Sequence, residues 1–265
     1  MWGERKSFNY FETQPKMVKG YKMNPYEINN IGKILKNKTY LGRGLVIGQS
    51  ENGNQAVFAY FITGRSENSR NRIFLESKNE VIIQPCDMSK VKNADLIVYS
   101  PVKKIKNNIV VTNGDQTNTI CDFVKNGKTF EEALETRKFE PDPPNFTPRI
   151  SGIITLDGST FKYKISILKS MDENGTYCSQ YTYKYFPIPS LGHFIHTYID
   201  DGNPLPPFCG EPLRIKIPNN IDDFTNIIWD NLYDQNKISL YVQYINIKDQ
   251  KYESRLLNKN KIQSL

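Results

Sequence analysis

Five arginines in this chain have types and spacings that suit anion chemistry: Arg43, Arg65, Arg70, Arg72 and Arg149. A guanidinium offers a planar fork of donors that matches a phosphate or a carboxylate. Arg43 and Arg149 abut strand-like segments, while Arg65 and Arg70 flank a loop rich in Gly, Ser and Asn that follows a hydrophobic run. In such a loop, with Ser66 inside it, a phosphate can meet guanidinium and backbone N–H groups together. A second anion-friendly turn is Asn113-Gly114-Asp115, ahead of a helix start at Thr117, because the first N–H groups of a helix lack partners. Plain alternatives stand beside both readings. Loop arginines are usually solvated, and helix capping alone accounts for Asp115 and Thr117.

Other chemistries are excluded by spacing. Gly127-Lys128-Thr129 looks like the end of a P-loop, but the glycine required upstream is replaced by Asp122, so the triplet reads as a helix stop and a cap. Pro85-Cys86 lacks the second cysteine of a zinc deaminase, and neither His193 nor His196 is followed by x-Glu. The cysteines, at 86, 121, 178 and 209, form no C-x-x-C pair and read as scattered reduced thiols. No G-x-S-x-G elbow is present, and neither Thr39 nor Ser7 follows an evident processing site that would free it as an N-terminal nucleophile. No metal site is expected.

The elements that must position these residues alternate strand text with paired helices. GLVIGQ and QAVFAYFIT, joined through Asn52-Gly53, predict a hairpin. Further strands are expected at Ile73 to Glu76, Glu80 to Gln84, Asp95 to Val102 and Ile109 to Thr112, with Asn107-Asn108 as a tight turn. Ile120, Phe123 and Val124 fall at helical spacing before Gly127, and Thr129 with Glu132 forms a capping box for a second helix. Pro143-Pro144 forces an extended loop. Strands resume at Arg149 to Leu156, Phe161 to Leu168 and Tyr177 to Phe186; a strand-like stretch runs from Phe194 to Gly202. Asp222 to Tyr233 reads as an amphipathic helix and Ser239 to Ile247 as a strand. In a strand the two histidines fall on different faces or at an edge, and His196, near Tyr198, is a candidate pocket residue. Many strands with helices gathered in pairs predict an α+β fold with helices on the outer faces of stacked sheets.

Several motifs occur in a fixed order: TYLGRGLVIG from Thr39, FAYFITGRSENSR from Phe58, VYSPV from Val98, TNGDQTNTI from Thr112 and FEPDPPNFTPRI from Phe139. In this order and with these gaps the chain resembles the archaeal-type IMP cyclohydrolase family. The resemblance is specific from about Thr39 to Ile150, and Phe161 to Ser190 looks like an expansion. It implies a four-layer αββα sandwich akin to the N-terminal-nucleophile hydrolases. It also implies ring closure of 5-formamidoimidazole-4-carboxamide ribotide to inosine monophosphate with loss of water, without a metal or organic cofactor. On this resemblance Tyr99, Glu140 and Arg70 are the expected catalytic residues. Arg43, Arg65, Ser66, Asn113, Gly114, Asp115, Thr117 and Arg149 are expected to bind the purine nucleotide. Intrinsically, Tyr99 is one more half-buried aromatic and Glu140 one more surface carboxylate. Phe61 and Gly64 replace positions that tend to be polar in the family, and Phe146 looks like a one-residue insertion. The alternatives are an N-terminal-nucleophile-type amide hydrolase or a relative that binds purine nucleotides without turnover.

The expected organisation is an N-terminal extension at 1–38, partly irregular, a single domain at 39–250 and a tail at 251–265. The net charge of +7 is dispersed, with no block of basic residues, which favours a small anionic substrate over a nucleic acid. No run reaches the ~20 apolar residues of a membrane helix, and MWGERKSFNY has no apolar core for secretion. A cytoplasmic protein without membrane contact is expected, with a homo-oligomer left open.

Overall fold

The computed structural model describes residues 24, 26–90 and 99–261. The elements run α1 (Ile31–Lys36), β1 (Arg43–Gln49), β2 (Gln55–Thr63), α2 (Glu67–Arg70), β3 (Ile73–Ser77), β4 (Glu80–Gln84), β5 (Tyr99–Ile105) and β6 (Asn108–Thr112). They continue through α3 (Gln116–Lys125), α4 (Phe130–Glu135), β7 (Arg149–Asp157), β8 (Thr160–Ser170), β9 (Cys178–Tyr185), β10 (Leu191–His196), β11 (Leu213–Lys216), α5 (Ile221–Asn231), β12 (Lys237–Asn246) and β13 (Tyr252–Asn258). The fold is α+β. Its strands form two antiparallel sheets, in the orders β11-β10-β1-β2-β12-β13 and β3-β4-β5-β6-β7-β8-β9.

Strand periodicity explains how the layers close. Successive side chains point to opposite faces. Leu45, Ile47, Phe58, Tyr60 and Ile62 therefore join a core shared with Phe74, Val111 and Ile154 of the facing sheet. Their neighbours Val46, Val57, Ala59 and Phe61 turn the other way and meet Ile31 and Leu35 of α1 and Phe224 and Ile228 of α5. On the second sheet Val110 and Ile153 pack outward against Ile120, Phe130 and Leu134 of α3 and α4. Strands buried on both faces are near-continuous apolar runs for this reason. Gly152 of β7 marks a close approach of the sheets, since a Cβ there would lie 2.5 Å from Ile47 Cδ1 and 2.9 Å from Leu45 Cδ2.

The expected helix signals act as anticipated. Thr129 and Glu132 make both arms of the capping box, and Gly127 turns the chain at φ +75°. Three expectations change. The tight turn lies at Lys106-Asn107, and Asn108 already pairs with Thr155 as the first residue of β6. The strand near Phe194 starts and ends earlier, because after His196 the chain turns and only Tyr198 bridges onward, to Pro207. The packed body also extends past 39–250: α1 lies under α5, and β13, within the expected tail, pairs with β12 from Ser239 to Ile245. Residues 1–23, part of the expected Asp95 to Val102 strand and 262–265 lie outside the described residues. Among the described residues no helix is long and apolar enough to cross a membrane.

Gly152→Val should overpack the contact between the sheets. The expected cost is ~1–3 kcal/mol, seen as a lower urea midpoint with an unchanged slope. An unchanged midpoint would show that the sheets have room to spare there.

Candidate functional site

Antiparallel register brings several chain segments to one end of the two sheets. In the first sheet Arg43 opposes Ile62, Gly44 opposes His196 and Lys237 opposes Thr63. In the second, Tyr99 opposes Ile83 and Thr112 opposes Ser151. Side chains at these ends and the loops leaving them line a cleft of about 760 Å³, within the roughly 300–1,000 Å³ of small-molecule sites.

Arg43 anchors the floor. Its guanidinium donates to Thr63 O at 2.8 Å and its backbone N–H to Thr197 Oγ1 at 3.1 Å. Burial works against this charge, yet the Tyr40, Tyr99 and Tyr60 hydroxyls and the Glu140 carboxylate more than offset it, so the proton is held more tightly than usual. Tyr99 Oη lies 3.3 Å from Tyr60 Oη. Burial, then the neighbouring Tyr99, pushes the Tyr60 phenol up.

Glu140 opens a loop that closes on itself. Its N–H donates to Thr147 O at 2.9 Å, and the Asp142 carboxylate accepts from Thr147 N at 2.7 Å and from Thr147 Oγ1 at 2.5 Å. Among the described residues no group donates a hydrogen bond to the Glu140 carboxylate. Burial raises its pKa; Arg149 and Arg43 oppose the shift, Asp142 adds to it and Arg72 opposes it less strongly. Phe146 adopts φ +40° and seats its ring against Gly175 of the β8–β9 hairpin, where a Cβ would meet it at 2.5 Å. That hairpin thus braces the loop that carries Glu140.

Of the expected site residues, Tyr99, Glu140, Arg43, Arg65, Ser66 and Asn113 line the cleft. Arg65, at the mouth, lies 4.9 Å over the Tyr40 ring and pairs with Asp201 at 2.5 Å. Asn113 is fixed by donating to Pro148 O at 2.8 Å and accepting from Ile150 N at 2.9 Å. Arg70 is not in the cleft. Ser66 and Ser69 share one side of α2 and face it; Glu67 and Arg70 take the other side and line a separate depression. Arg70 instead donates to Gly64 O at 3.0 Å and Asn236 Oδ1 at 3.1 Å. Gly114, Asp115, Thr117 and Arg149 stand behind the wall. Thr117 Oγ1 donates to Gly114 O at 3.0 Å, and Arg149 donates to Gln116 Oε1 at 2.6 Å and pairs with Asp115 at 2.8 Å. Asp115 also pairs with Arg137; these two arginines outweigh the effect of burial and hold its carboxyl below the usual range. These contacts shape the turn after β6.

Sequence reasoning missed much of the lining. Tyr40 stacks on Tyr198 with centroids 5.7 Å apart, Asn145 accepts from Leu205 N at 3.0 Å, and Asn68, Ser69 and Thr197 complete the wall. Arg72 also lines the cleft, and its Nε is buried without an acceptor. Burial first, then the Arg43 charge, lowers its pKa. The signal for Arg72 was its place in the arginine cluster; only its direction was hidden. His196 is not among the lining residues. It lies on the opposite face of β10 from His193 and donates from Nδ1 to Tyr198 O at 2.7 Å, while His193 meets Tyr163. Burial lowers both to about 4. Among the described residues no three His, Cys, Asp or Glu side chains cluster as metal ligands do.

Comparison with known proteins identifies the family this chain is similar to. The profile of the family described as IMP cyclohydrolase-like protein matches residues 40–251. An IMP cyclohydrolase from Methanococcus maripaludis is 34% identical over 128 residues, 47% of this chain and 62% of the relative. One from Methanopyrus kandleri is 32% identical over 163 residues, 57% of this chain and 79% of the relative. The chain thus spans about three fifths, 62%, of the length of the first of these curated relatives.

The pH dependence of stability tests the Glu140 environment. A carboxyl whose folded pKa is raised contributes stability below its unfolded value and loses it as pH rises through the folded one. Glu140→Gln has no such loss. Melting temperatures of variant and native protein should converge near about pH 4 and separate at neutral pH, with the variant higher. A variant that melts lower at neutral pH would show that the charge is stabilised there.

Proposed function

The chain belongs to the IMP cyclohydrolase-like protein family, and we propose that its cleft closes the ring of 5-formamidoimidazole-4-carboxamide ribotide to give inosine monophosphate and water. The observation that carries this reading is the meeting of Tyr99 and Glu140 over Arg43 in one nucleotide-sized cleft. The same layering, two sheets face to face with helices outside, supports the kinship with N-terminal-nucleophile hydrolases that the family implies. Thr39, the residue nearest to such a nucleophile, instead uses its N–H to bind Asp200 Oδ1 at 3.1 Å.

An amide nitrogen is a poor nucleophile because its lone pair is delocalised, so the work is orientation and proton transfer. Holding the carboxamide against the formyl group contributes on the order of 7–11 kcal/mol in well-oriented systems, and a placed acid or base adds ~10²- to 10⁴-fold. Tyr99 and Glu140 relay protons between the amide, the formyl oxygen and the departing water. A carboxyl with a raised pKa suits this task, because it exchanges its proton nearer to neutral pH. Arg43 fixes both groups electrostatically. The phosphate, dianionic and well hydrated, stays at the mouth with Arg65, Ser66, Asn68 and Ser69, away from the Glu140 carboxylate. Arg70 serves indirectly, by tying Gly64 and Asn236 under that loop. Orientation and proton transfer suffice, so no metal or organic cofactor takes part.

Tyr99→Phe and Glu140→Gln keep shape and remove proton handling. Each should lower kcat by ~10²- to 10⁴-fold with little change in inosine monophosphate affinity, the sign of an interaction made in the transition state. The double variant should be little worse than either single one. Near-native ring closure in both single variants would reduce Tyr99 to packing and Glu140 to a buried carboxylate with no part in the reaction.

Arg65→Ala should raise KM for the ribotide while hardly altering that for the nucleoside lacking phosphate. Equal effects on both would move the phosphate elsewhere in the cleft.

A further inference from the structure

Each arginine near the cleft has its guanidinium engaged, with one exception. Arg43 donates to Thr63 O, Arg65 binds Asp201 and Gly202 O, Arg70 binds Gly64 O and Asn236, and Arg149 binds Gln116, Asp115 and Lys138 O. Arg72 makes no side-chain hydrogen bond or ion pair among the described residues, and its Nε is fully enclosed. Buried donors without partners are rare, and each requires an explanation. The other such nitrogen, Arg214 Nε, lies outside the cleft, where that guanidinium sits 5.8 Å over the Tyr26 ring. Arg72 lines the cleft, and the charged and phenolic groups that act on it are Arg43, Tyr99, Glu140 and Tyr60. These are the groups at the reacting end, not those at the mouth.

We propose that the Arg72 guanidinium receives the formyl oxygen of the substrate and stabilises the negative charge that develops on it during ring closure. This rests on the cyclohydrolase reading above. A phosphate at Arg72 would place a dianion beside Glu140. A neutral carbonyl oxygen that turns negative only in the transition state fits a site between that carboxylate and two guanidinium groups. As the carboxamide nitrogen bonds to the formyl carbon, the carbonyl π pair moves onto oxygen and the nitrogen gives up a proton to the relay. The oxyanion, held by Arg72, takes a proton to become a carbinolamine hydroxyl. The C–O bond then breaks with a second protonation, water leaves, and the former formamide nitrogen loses its proton as the C=N bond forms. Arg72 is spent only while charge sits on that oxygen, so its unpartnered state in the free protein is preorganisation that needs no rearrangement at the moment of reaction.

The test separates this role from phosphate binding and from packing. Inosine monophosphate has no oxygen on the carbon that came from the formyl group, whereas xanthosine monophosphate does. Native protein should therefore bind xanthosine monophosphate roughly 10- to 100-fold more tightly than inosine monophosphate, and Arg72→Met should erase that preference while leaving inosine monophosphate binding unchanged. In ring closure Arg72→Met should lose ~10²- to 10³-fold in kcat with KM little altered. Arg72→Lys, which keeps the charge without the planar fork, should recover part of the loss. If Arg72→Met does not fold, the lysine variant and the native preference decide. No native preference for the oxygenated nucleotide, or near-native kcat in a folded Arg72→Met, overturns the oxyanion role and leaves Tyr99 and Glu140 as assigned. No ring closure by the native protein overturns the reading and this inference together.

Discussion

Arg43 carries a full charge into the junction between the two sheets, and the surrounding structure is what makes that tolerable. A lone buried cation is costly unless it is hydrogen-bonded and its charge is answered. Thr63 O supplies the bond, Glu140 is the carboxylate that answers the charge, the Tyr40, Tyr60 and Tyr99 hydroxyls surround it with polar groups, and Thr197 holds the backbone in place. The same grouping sets the properties of Glu140. Its burial favours the protonated acid, while Arg149, Arg43 and Arg72 keep the anion within reach. A relay needs a carboxyl balanced in this way, and neither a fully solvated one nor one in a tight ion pair would provide it.

The arginines divide by how completely they are spent. Arg149 and Arg70 are committed to loop architecture, Arg65 sits at a solvated mouth with an exchangeable acidic partner, and Arg72, its Nε enclosed, has no side-chain partner among the described residues. A site that must bind a dianion and then stabilise a transient anion gains from this separation. On the proposed reading, the strong electrostatics of the enclosed end is reserved for charge that develops in the reaction. The brace between Phe146 and Gly175 has a related role. It couples the β8–β9 hairpin to the loop holding Glu140.

Local chemistry was legible in the sequence wherever one or two residues decide it. Asn52-Gly53 marks the hairpin and Thr129 with Glu132 the cap, while Gly127 marks a helix stop, and each acts as its physics dictates. Elements that depend on tertiary partners were not legible. The six-residue α1 exists because Ile31 and Leu35 find α5, and the edge strand β13 has a polar face and no strong alternation. The site shows the same division. Tyr99, Glu140 and Arg43 stood out because whole motifs carry them. The exchange between Arg70 and Arg72 was hidden because it turns on side-chain direction at the end of a four-residue helix, α2 (Glu67–Arg70). Tyr40, Asn145 and Tyr198 come from loops that meet only when both sheets end at the same place.

Tracing the formyl carbon through one turnover tests the central claim most directly. With the formamido ribotide labelled with carbon-13 at the formyl position, the account predicts that the label appears at the purine carbon between the two ring nitrogens of inosine monophosphate, as followed by NMR. Release of the label as formate would identify an amide hydrolase, and a label that stays in unchanged substrate would identify a nucleotide-binding protein without turnover; either result would contradict the account.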